Sequence, residues 1–116
     1  MSKAEAARRS RLKRLFNITP EEYDLIAVYQ GGPSPGGVCA ICGRPPARVR
    51  LAVDHDHGSG LVRGLLCWRH NRLLELAGDS GKVLRRAADY LADPPAPRAL
   101  GEKRFGRTGR VTRRAA

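Results

Sequence analysis

Residues 53–71 read VDHDHGSGLVRGLLCWRHN. Two Asp-His pairs precede a Gly-Ser-Gly turn, and Cys67 and His70 follow three positions apart. Upstream lies Cys39-x-x-Cys42, so the chain carries two half-sites of metal-ligand spacing on either side of one hairpin. Structural zinc favours four tetrahedral Cys and His donors. One half-site in a turn and the other at a helix start can bring Cys39, Cys42, Cys67 and His70 together, clamping the hairpin like a treble clef. This set uses all three cysteines. The spacing leaves one alternative open, in which His55 or His57 replaces His70.

The hairpin follows from the flanking pattern. RVRLAVDH (48–55) alternates Val49, Leu51 and Val53 with Arg48, Arg50 and Ala52, as in a half-buried strand. GSG (58–60) is a turn, and LVRGLLC (61–67) is a second strand pairing back. From Trp68 the pattern is helical to Gly78, with Trp68 read as a packing residue. A last helix over 82–92 is capped by Asp79 or Ser80. Before the knuckle, Thr19 caps a helix with Pro20 first and Glu22 closing a capping box, and Gly31 and Gly32 end it. Leu25, Ile26, Val28 and Tyr29 are its expected apolar side. GGPSPGG (31–37) is a loop, and DPPAP (93–97) ends the folded part. The expected fold is α+β: a small zinc-stapled core with flanking helices. The expected division is a basic N-terminal helix or arm at 1–18, a domain at 19–92 and a basic, disordered tail at 93–116. A core of about 60 residues is marginal on hydrophobic burial alone, so a structural metal would help it fold.

Charge sits at the two ends. The chain has 116 residues and a net charge of +11, with six Lys/Arg against Glu5 in 1–16 and seven against Glu102 in 98–116. The middle is neutral, with nine basic and nine acidic residues. Basic arms suit a polyanion, because neutralising phosphates releases counterions. The expected DNA contacts are Arg8, Arg9, Arg11, Lys13, Arg14, Arg63, Lys103, Arg104, Arg107, Arg110, Arg113 and Arg114. The partner is then a nucleic acid and not a membrane, and no stretch approaches the ~18 apolar residues of a transmembrane helix. Cysteines in metal-knuckle spacing, without a secretory h-region, point to a reducing, cytoplasmic location.

With zinc on the four-donor set, Asp54, His55, Asp56, His57 and Asn71 remain. A carboxylate and an amide oxygen suit Mg²⁺ or Mn²⁺. A neutral His beside such a cation can take a proton from water near neutral pH. Asp54, His55 and Asn71 are thus the candidates for phosphodiester hydrolysis, with His57 supporting. Each has a bland alternative: Asp54 pairing with Arg50 or Arg63, Asn71 capping the helix, Asp56 and His57 shaping the turn.

VCAICG (38–43), LAVDHDHGSGLVRGLLC (51–67) and HN (70–71) resemble the phage recombination endonuclease VII family, within the HNH or His-Me finger nucleases. LKRLFNITPEEYDLIAVYQGG (12–32) resembles the family's lead-in, so the likeness extends over 12–92. It implies a ββα-metal core, structural zinc and Mg²⁺-dependent cleavage of duplex or branched DNA, in the type member at branched junctions. By matched position Asp54 and Asn71 would bind the catalytic metal, His55 would be general base, and Cys39, Cys42, Cys67 and the residue at 70 would bind zinc. Position 70 is His where the type member has Cys. The nearest counterpart of a family helix glutamate, Glu75, stands one position off. Long helical dimerisation elements are not evident, which leaves a homodimer open. The resemblance implies a phage- or prophage-encoded protein acting in a bacterial host. The competing reading is a non-catalytic, zinc-stabilised DNA-binding module.

Overall fold

A computed structural model describes residues 1–31 and 35–107. They form two compact units, Met1–Asp79 and Ser80 onward. The first holds α1 (Lys3–Phe16), α2 (Pro20–Gln30), β1 (Ala52–His55), β2 (Val62–Leu66) and α3 (Trp68–Leu76). The second holds α4 (Gly81–Ala92) and α5 (Pro95–Leu100).

Both leading helices begin with reciprocal capping boxes. Ser2 Oγ accepts from Glu5 N–H at 3.0 Å while Glu5 accepts from Ser2 N–H at 2.7 Å. Thr19 and Glu22 repeat the exchange at 3.1 and 2.8 Å. α1 belongs to the fold in its own right: Leu12 is buried in the core and Phe16 packs against it. Arg9 grips Glu21 with two bonds, of 3.0 and 2.6 Å, joining α1 to α2.

The inner face of α2 is not the one expected. Tyr23 and Ala27 are buried and Ile26 packs on the core, whereas Leu25, Val28 and Tyr29 are exposed. The spacing of 23, 26, 27 and 30 is one helical stripe, and its last member is polar. Gln30 donates to Val38 O and Leu65 O at 2.8 and 2.9 Å and accepts from Leu65 N–H at 2.8 Å. A glutamine amide thus satisfies the free edge of β2, where a hydrophobe would leave backbone groups unpaired. This approach requires Gly64, since a Cβ there would stand 2.9 Å from Gln30 Oε1.

β1 and β2 are antiparallel, with Ala52 opposite Leu66, Val53 opposite Leu65 and Asp54 opposite Gly64. The first strand begins four residues later than its sequence pattern indicates. Leu66 already pairs with Ala52 and Cys67 turns into α3, so nothing remains to pair with 48–51. Val49, expected to face inward, is therefore exposed, while Leu51 and Val53 are buried. Tyr23 Oη anchors the approach by donating to Leu51 O at 2.6 Å. A register irregularity between Asp54 and His55 breaks the in-out alternation where the candidate residues stand.

In the second unit Ser80 caps α4, accepting from Val83 N–H at 3.1 Å. DPPAP does not end the helical structure. Pro95 takes the first position of α5, where a missing N–H removes no helical bond. No helix among the described residues is long and apolar enough to cross a membrane.

Candidate metal centre and cleft

The knuckle forms first from backbone. Cys39 N–H bonds Arg44 O and Gly43 N–H bonds Cys39 O, both at 2.9 Å, with Gly43 at φ 74°. Ala40 N–H bonds Leu65 O at 3.1 Å, setting the knuckle against β2. Cys67 is the N-cap of α3, which places His70 one turn along. The four donor atoms of Cys39, Cys42, Cys67 and His70 all lie within 4.8 Å of one another. Cys67 Sγ is 3.0 Å from His70 Nδ1, and Cys42 Sγ is 4.0 Å from Cys67 Sγ. A tetrahedral ion with Zn–S near 2.3 Å and Zn–N near 2.0 Å has donor–donor edges of about 3.5–3.8 Å. The separations, from 3.0 to 4.0 Å for the pairs in contact, bracket that figure, and the donor set suggests structural zinc. None of the three cysteines is in a disulfide.

The sulfurs are electrostatically unequal. Burial raises the Cys39 pKa, but backbone N–H groups of Cys42, Cys67 and Ile41 outweigh it and bring it down to about 6. For Cys42 the Arg44 backbone favours thiolate, yet burial and the adjacent Cys39 and Cys67 sulfurs leave it raised. Three sulfurs this close resist joint ionisation without a cation between them, which is the condition a zinc ion relieves.

A cleft of ≈ 940 Å³ lies along α1, residues 46–55 and α3. Asp54, His55, His57, Asn71 and Glu75 all line it. Arg8 and Arg11 of α1, and Arg48 and Arg50 before β1, line it too. None of these four arginines forms an ion pair among the described residues. Arg8 instead lies over the Tyr23 ring at 5.0 Å.

Asp54 is 5% exposed, and Arg63 holds it with bonds of 2.8 and 3.0 Å to its two oxygens. The same guanidinium bonds Asp79 Oδ1 at 3.0 Å. Asp79 also faces His57 Nδ1 at 3.4 Å. These contacts, Arg63 first and His57 second, hold the Asp79 carboxyl below its ordinary range. The His55 ring packs against both Phe16 (5.4 Å between centroids) and His57 (4.7 Å). Asp56 takes the bland role of a turn former, accepting from Gly58 N–H at 2.9 Å and Ser59 Oγ at 3.1 Å. Asn71 lies inside α3, its N–H bonded to Cys67 O, and is not the helix cap. Glu75 reaches the cleft although it is off the family spacing, and pairs with Arg72 at 3.3 Å.

The expected basic contacts separate. Arg8 and Arg11 line the cleft; Lys13 and Arg14 do not. Arg9 is held by Glu21, Arg63 by Asp54 and Asp79, and Arg104 by Glu102. Lys103 and Arg107 are exposed in the second unit. Arg110, Arg113 and Arg114 lie outside the described residues. Three contributors have no marker in the sequence. Arg48 and Arg50 resemble the outer face of a strand, and Asp79, 16 residues from Arg63, resembles a helix cap.

The first unit is thus a small α+β structure whose two-stranded sheet and following helix are pinned by a Cys₃His cluster. The profile of the recombination endonuclease VII family matches residues 9–93, and the chain belongs to that family. It is 46% identical over 96 residues to the gene 59 protein of Mycobacterium phage D29, covering 81% of this chain and 55% of that protein. Identity to the gene 59 protein of Mycobacterium phage L5 is 42% over 96 residues, covering 81% and 56%. The chain therefore spans about half the length of the curated relatives it matches. No solved structure matches it.

Proposed function

We propose that the chain is a divalent-metal-dependent DNA endonuclease of the ββα-metal, HNH or His-Me finger type. The observation that carries this reading is the convergence of Asp54, His55 and Asn71 on one cleft whose remaining walls carry unpaired arginines. Arg8, Arg11, Arg48 and Arg50 receive the phosphate backbone. His55 accepts the proton of the attacking water, its ring oriented by Phe16 and His57. Asp54 and Asn71 are the residues that would hold Mg²⁺ or Mn²⁺. Two oxygen donors with several retained waters are a normal protein contribution to such a site, and each Asp54 oxygen keeps a second lone pair beside Arg63. When bound, the cation neutralises charge at the phosphate and leaving oxygen. Branched DNA is the proposed substrate, a homodimer the proposed assembly and a phage-infected bacterial cell the proposed setting.

The Arg63–Asp54 pair favours a second reading, because it accounts for Asp54 with no catalytic cation. In that reading the chain is a zinc-stabilised DNA-binding module. One comparison separates the two: cleavage of four-way junction, linear duplex and single-stranded DNA, with Mg²⁺ or Mn²⁺, by wild type and His55→Ala. We expect wild-type cleavage and a loss of about 10²–10⁴-fold or more in the variant, with zinc content and DNA binding retained. Equal activity in the variant overturns the role of His55. Tight DNA binding without cleavage under any divalent ion establishes the binding module.

A further inference from the structure

Trp68, the chain's single tryptophan, is 70% exposed at the first position of α3. A large aromatic ring left in water forgoes substantial burial, so its sequence reading as packing is incorrect. The ring borders a cleft of ≈ 380 Å³, distinct from the one containing His55. Pro45, Pro46 and Val49 supply apolar walls, Arg44, Arg48, Arg50 and Arg69 supply charge, and the metal-cluster residues Cys42, Cys67 and His70 also line it. No carboxylate pairs with any of these four arginines among the described residues. A metal held by the cluster would fix the backbone under the ring, since Cys67 precedes it and His70 follows two residues later.

This combination has a specific chemical complement. A flat, rigid π-face beside unneutralised guanidinium groups suits a nucleobase still attached to its phosphates. A paired base inside a duplex has both faces covered by its neighbours, so away from duplex ends the ring selects an unpaired one. The two clefts share a wall. Residues 46–51, with Arg48 and Arg50 among them, line both. A strand entering the His55 cleft can thus cross this arginine ridge and place its next unpaired base on Trp68.

We propose that the Trp68 cleft is a stacking subsite for an unpaired nucleotide adjoining the strand held in the His55 cleft. It rests on the nuclease reading for the adjoining strand, but its test does not require cleavage. Because the chain has one tryptophan, its emission reports the site directly. The zinc-loaded protein, with Ca²⁺ in place of Mg²⁺, is titrated with oligothymidine, a fork bearing unpaired arms and a blunt duplex. Saturable quenching by the first two and little by the third supports the subsite. With labelled DNA, Trp68→Ala should weaken fork binding about 5- to 150-fold, as for one stacked base. Its affinity for blunt duplex and its salt dependence should be unchanged. Trp68→Phe should retain most of the fork affinity, and this variant carries the comparison should Trp68→Ala lose zinc. Absent quenching, or equal losses on fork and blunt duplex, overturns the proposal. So does emission that changes with protein concentration alone, which identifies the patch as a contact between copies of the chain. Quenching by a protein that cuts no DNA keeps the subsite and removes the nuclease. Cleavage with no quenching does the reverse.

Discussion

Arg63→Gln tests how the cleft is held together. The substitution removes both bonds to Asp54 and the bond to Asp79, stranding a carboxylate that is 5% exposed. Truncating one partner of a buried pair costs about 3–5 kcal/mol, mostly from the charge left behind. The Arg63 side chain is 30% exposed, so water reaching the vacated side brings the expected loss to about 2–3 kcal/mol. At roughly 4–8 °C per kcal/mol for a domain of this size, the midpoint should fall by about 8–24 °C. Thermal unfolding of the zinc-loaded protein by circular dichroism gives the value. The double variant Asp54→Asn/Arg63→Gln removes the stranded charge and should recover part of the loss. Mg²⁺ should raise the midpoint of Arg63→Gln more than that of wild type, since a cation held by Asp54 then supplies the missing counter-charge. A double variant no more stable than Arg63→Gln would refute the reasoning. Asp54 would then be solvated in the folded chain and its pairing with Arg63 incidental.

Three further outcomes follow from named contacts. His70→Ala removes one of four donors, and we expect loss of about one zinc equivalent with unfolding; full retention of zinc and stability would shift the fourth donor to His55 or His57 and remove the proposed base. Gly64→Ala should cost about 1–3 kcal/mol, because the new Cβ displaces a Gln30 amide committed to three bonds. Its cost should shrink in a Gln30→Ala background, measured by urea denaturation. Asp79 has a folded pKa below its unfolded one, held there by Arg63 and then His57. Its contribution is complete above the unfolded value of about 3.9 and is lost as pH falls through the lower folded value. Asp79→Asn should therefore lower the midpoint at neutral pH, where the contribution is complete, and flatten the acid limb of the midpoint-versus-pH curve.

The sequence discloses what is local. The Thr19-x-x-Glu22 cap, the Cys-x-x-Cys knuckle and the Gly-rich turn act over three or four residues, and each appears where its spacing places it. Longer reach is where the reading departs. The alternation in 48–55 is genuine, but strand length depends on the partner, and β2 ends at Leu66 because Cys67 must start α3. The buried stripe of α2 includes Gln30, and no hydrophobic pattern marks a glutamine as the residue that completes a sheet edge. Asp54 was legible as a chemical candidate. Its dependence on Arg63, and that of Arg63 on Asp79, needed coordinates, since ion pairs across 9 and 16 residues leave no periodic trace.

The five residues from Cys67 to Asn71 connect these features. Successive α-helical positions are about 100° apart, so a single turn can serve more than one site. Cys67 and His70 supply donors to the metal cluster and, with Trp68, border the second cleft, while Asn71 lines the His55 cleft. Cys67 also begins the helix with no side-chain cap, so the first turn lacks the support that Ser2 and Thr19 give α1 and α2. A metal holding Cys67 and His70 fixes that same turn from outside. Loss of zinc should accordingly release Asn71 and Trp68 together. Progressive chelation should then reduce cleavage and Trp68 quenching in proportion to zinc removed, and before α2, which holds none of the donors, loses its helical signal.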